Sequence, residues 1–96
     1  MIGLFGEVME RLRAGWDALR GEIEMLSRSQ APDRAALGGL RDLVRAFRQE
    51  THSLLVTMLF EDAPPALTDA ADELLSVFGE ALARLDALLA RARPAT

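Results

Sequence analysis

The 96-residue chain has no cysteine, which excludes a disulfide framework and any thiolate metal site and leaves the redox compartment unread. Lysine, asparagine and tyrosine are also missing. All 11 basic residues are Arg, a bias read here as the imprint of a GC-rich genome rather than as selection for bidentate anion pairing. Long apolar runs are absent too: the longest, Leu54–Phe60, is broken by Thr57 and falls far short of the roughly 20 residues that span a bilayer. Met1–Phe5 lacks the basic start and the length of a secretory signal, so the expectation is a cytoplasmic protein with a single helical domain over residues 1–96.

A concentration of positive charge is also lacking. The net charge is −4, and residues 61–96 carry seven acids against three Arg. Binding to a phosphate backbone depends on many cations releasing counterions, so no nucleic-acid partner is expected. The polar face of the N-terminal segment carries Glu7 and Glu10, where a membrane-surface helix would carry Lys or Arg.

What the chain does have is apolar mass: half of it is hydrophobic, with 17 Leu and 16 Ala. A domain this small buries only about 60–65% of its unfolded surface. The surplus points to self-association or to a partner.

The apolar residues are periodic. Ile2, Phe5, Met9, Leu12, Trp16, Leu19, Ile23 and Leu26 alternate by three and four, a coiled-coil-like seam. Pro32 suits a first helical turn and opens a second stripe of Leu37, Leu40, Val44, Phe47, Thr51, Leu54 and Met58. Gly38-Gly39 weakens its start by roughly 1 kcal/mol per Gly, so regular helix is expected only from Leu40. Pro64-Pro65 ends this helix. A third stripe follows at Leu67, Ala71, Leu74, Phe78, Ala81, Leu85, Leu88 and Ala92, with acids crowding its start and Arg91 and Arg93 its end, as the helix dipole favours. The connections are short enough for antiparallel neighbours. The pattern predicts an all-α, elongated antiparallel three-helix bundle over about 2–28, 32–60 and 65–93, completed by helices of a second subunit.

Two places hold the surplus: the row Leu75, Leu82, Leu89, and the end of the second helix with Leu55, Leu59 and Phe60. These six residues are the expected interface of a homo-oligomer, with a dimer favoured. Beside the second stripe, Arg41, Arg45, Arg48 and His52 step by four, three and four. The plain expectation is a solvated basic flank paired with Asp69, Asp72, Glu73 and Glu80 of the third helix, its aliphatic stems covering apolar surface. The functional alternative is an anion-binding pocket at a subunit groove, in an all-α binding protein or enzyme.

No catalytic constellation emerges. Ser27, Ser29, Ser53 and Ser76 lack a strand–turn–helix setting, and Gly38-Gly39 lacks the sequel of a phosphate loop. His52 stands two residues from Glu50, on a different helix face, so neither a metal site nor a cofactor is expected. Four glycines (Gly3, Gly6, Gly15, Gly21) in the first helix cost about 2–4 kcal/mol against Ala, which close helix approach or ordering on assembly would offset. The sequence reads as a non-enzymatic interaction module that self-associates, serving as an adaptor, assembly factor or small regulatory subunit with a possible protein partner.

Overall fold

In the computed structural model, which describes residues 2–92 with the Ile2 side chain excepted, three helices follow one another: α1 (Ile2–Arg28), α2 (Arg34–Phe60) and α3 (Pro65–Arg91). The expected end of the third helix at Arg93 lies outside the described residues, as does Pro94–Thr96. Cross-helix contacts fix the topology. Arg11 on α1 pairs with Glu50 on α2, Arg41 on α2 with Asp86 on α3, and Trp16 on α1 meets Phe78 on α3. Position therefore falls along α2 as it rises along α1 and α3, an up-down-up bundle. Its extents of 52 × 18 × 15 Å are those of a rod, because each helix of 27 residues is about 40 Å long. No helix among the described residues is long and apolar enough to cross a membrane.

α2 starts close to the expected residue 32. Regular helix begins at Arg34 with no delay to Leu40, and Pro32 stands before it rather than in its first turn. Asp33 is the reason: its carboxylate accepts from the Ala35 N–H at 3.0 Å, and such a cap is worth about 1 kcal/mol. Leu37 and Leu40, on either side of Gly38-Gly39, are both buried, and their packing offsets the glycines' weak propensity. At the other end, Asp62 adopts a left-handed φ of 54° and the Ala63 N–H reaches back to the Met58 carbonyl at 2.8 Å. This is the arrangement that ordinarily recruits Gly. Pro65 then opens α3 with Pro64 at the cap.

The three stripes form the core. All of the α3 stripe is buried except Leu67, which is half-buried. Thr51 is the one buried polar residue among those described, and its hydroxyl donates to the Phe47 carbonyl at 2.7 Å. Midway along the rod, Phe78 is fully buried. The Trp16 ring meets it edge-on at 5.7 Å and the Phe47 ring stacks on it at 6.1 Å, so each helix contributes one ring to a single layer.

This layer accounts for one of the four α1 glycines. A β-carbon on Gly15 would sit 2.7 Å from the tip of the Phe47 ring, whereas Gly3, Gly6 and Gly21 have nothing within 4 Å. Nothing in the structure explains those three. Gly15→Ala is expected to lower stability by about 1–3 kcal/mol through overpacking, and Gly21→Ala to raise it by about 0.5–1 kcal/mol through helix propensity. Urea denaturation followed by circular dichroism checks both, and equal effects at the two positions would contradict the close approach.

Candidate functional site

The residues singled out from the sequence converge on one side of the bundle. Arg45, Arg48, Gln49 and His52 from α2, with Leu75 and Leu82 from α3, line a surface groove of about 440 Å³. The basic stripe and part of the Leu row are thus two walls of one feature. The helical register explains this. Arg45, Arg48 and His52 lie beside the core face at spacings of three and four, and α3 packs along that flank, bringing Leu75 and Leu82 opposite. Gly79 lies between them in the same α3 row, with open space where its β-carbon would be.

Arg41, the remaining member of the stripe, is held at one end of the groove. Its Nε lies 2.7 Å from the Asp86 carboxylate, yet this buried nitrogen forms no hydrogen bond. The contact is an ion pair whose N–H is not directed at the carboxylate. With both side chains partly exposed, it is worth at most about 1 kcal/mol. The expected pairing with Asp69, Asp72, Glu73 and Glu80 is not found: among the described residues Arg45 and Arg48 form no ion pair. For Glu73 and Glu80 the reason is geometric: they line clefts beside α1, with Trp16 and Arg20, away from the α2 arginines.

The six expected interface residues divide. Leu55, Leu82 and Leu89 are half-buried and pack against the core, and Leu75 is also half-buried, so α2 already covers part of the α3 row. Leu59 and Phe60 are 61% and 89% exposed, and Val56 beside them is 50% exposed. Val56, Leu59 and Phe60 continue the α2 groove wall beyond His52 at helical spacing. Val56 belongs to the widened apolar end of the second helix that the sequence already marks, whereas the sequence does not single out Gln49, Gly79 or Asp86 as groove residues. For Gln49 the signal is its place four residues after Arg45, whereas Gly79 and Asp86 acquire meaning only once α2 and α3 are in register.

His52 is exposed and lies in the groove, while Glu50 turns toward α1 and accepts from Arg11. Among the described residues no three His, Asp or Glu side chains cluster as a metal site would require. The groove can receive a negatively charged group on its α2 wall and an apolar group on its α3 wall. On the α1–α3 side, Arg84 donates to Glu24 at 3.0 Å; this hydrogen bond and the Arg84 charge hold the Glu24 carboxyl below its ordinary value.

No family model, curated protein or solved structure matches the chain.

Because the Glu24 pKa is lowered on folding, its contribution to stability is present at neutral pH and is lost as pH falls through the lowered value. Carboxyl-carbon NMR titration should place Glu24 below a Glu in a short unstructured peptide. Arg84→Ala should raise it toward the ordinary range, with Arg28 and Arg20 still lowering it, and a titration indifferent to Arg84 would contradict the pairing.

Proposed function

We propose that this chain is a non-enzymatic helical interaction module that self-associates as a dimer and serves as an adaptor, assembly factor or small regulatory subunit. The observation that supports this reading best is the exposed apolar edge Val56, Leu59 and Phe60, above all Phe60 at 89% exposure. Single exposed apolar side chains are ordinary on protein surfaces, but adjacent large ones signal a contact site. The edge runs into a groove with one basic and one leucine wall, so a convex apolar edge and a concave groove lie on one face of the same molecule.

Sedimentation velocity at tens of micromolar tests the reading. Phe60→Asp should convert a dimer to a monomer with helix content unchanged, because the side chain makes little contact within its own subunit. A variant that sediments like the wild-type chain would remove Phe60 from any interface.

A second reading has its own observation: the groove is lined by Arg45 and Arg48, neither held by a carboxylate among the described residues. Arg forks free of an internal partner suit a small carboxylate or phosphate ligand. In a thermal-shift screen this reading predicts a melting temperature raised by phosphate or a dicarboxylate, with the rise abolished in Arg45→Ala/Arg48→Ala. No rise with any anion rejects it.

A further inference from the structure

We infer that the α2–α3 groove is the receptor for the Leu59–Glu61 segment of a second copy of this chain, each copy docking into the other about a two-fold axis at the level of His52–Ser53. The inference rests on the self-association reading and specifies its geometry. The groove has basic side chains without internal partners on one wall and leucines on the other. A matching segment combines large apolar side chains with an immediately adjacent acid, and the chain itself supplies one. Among the described residues Leu59 and Phe60 are its most exposed neighbouring pair of large apolar side chains, and the exposed Glu61 follows directly.

Spacing makes the two halves compatible in a symmetric pair. The Arg41–Asp86 and Phe47–Phe78 contacts place the Gly79 gap level with Phe47. Leu59 lies 12 positions further along α2, or about 18 Å. A two-fold axis perpendicular to α2 and halfway along this span passes at Ser53, beside His52, and sets the two α2 helices antiparallel. Leu59 of each copy then reaches the level of the gap between Leu75 and Leu82 of the other. The same operation carries Glu61 to the level of Arg45. Both contacts occur twice, as an isologous interface requires, and opposite charges fix the register of an otherwise apolar docking.

A charge exchange tests this arrangement on the full chain. Arg45→Glu alone sets acid against acid at both docking sites, and Glu61→Arg alone sets base against base. Each should weaken the dimer by about tenfold or more while circular dichroism shows unchanged helix. An equimolar mixture of the two variants should recover a dimer near wild-type strength, because in the heterodimer one site keeps the native pair and the other has it reversed. Light scattering and sedimentation read the outcome. If the wild-type chain dimerises and the single variants do so equally well, or if the mixture does not recover, self-association stands and this geometry is overturned. If the wild-type chain is monomeric, both fall. A monomer whose melting temperature phosphate raises in an Arg45-dependent manner assigns the groove to a small anion instead.

Discussion

The bundle depends on the burial of Phe78 between Trp16 and Phe47. α2 and α3 are the most extensively packed pair, and α1 makes fewer close approaches to either of them. The aromatic layer joins all three. Edge-on and stacked rings add about 0.5–1.5 kcal/mol per pair beyond the area they bury, and removing such a ring from a core costs about 3–5 kcal/mol. The layer also sets the distance between α1 and α2, because the Phe47 ring occupies the space that a side chain on residue 15 would take.

The fold was legible because its determinants are local and periodic. The three- and four-residue alternation identified which face of each helix is buried, and nearly the whole α3 stripe is so. Propensity alone would delay the start of α2 past the two glycines, which are outweighed by a local hydrogen bond from the Ala35 N–H to Asp33 and by the burial of Leu37 and Leu40. Ion-pair partners were illegible for a different reason. Asp86 meets Arg41 only because α2 and α3 adopt one particular register, whereas Glu73 and Glu80 face clefts beside α1. A sequence shows that opposite charges are available, and only packing decides which of them meet.

The same limit applied to the candidate site. The basic stripe on α2 and the Leu row on α3 read as separate features, one electrostatic and one apolar, with separate explanations. Packed together, Arg45, Arg48 and His52 face Leu75 and Leu82 across one groove. The apolar surplus is also smaller than the sequence implied, since Leu55, Leu82 and Leu89 are partly covered within the subunit. Leu4, Met25 and Leu43 are also exposed, but Val56, Leu59 and Phe60 adjoin one another at the end of α2, and this adjacency is what favours self-association.

That reading stands or falls on the mass of the wild-type chain in solution. Size exclusion coupled to multi-angle light scattering, at tens of micromolar and near-neutral pH, should give twice the chain mass of 10.5 kDa. A well-folded species of single-chain mass at that concentration would contradict it.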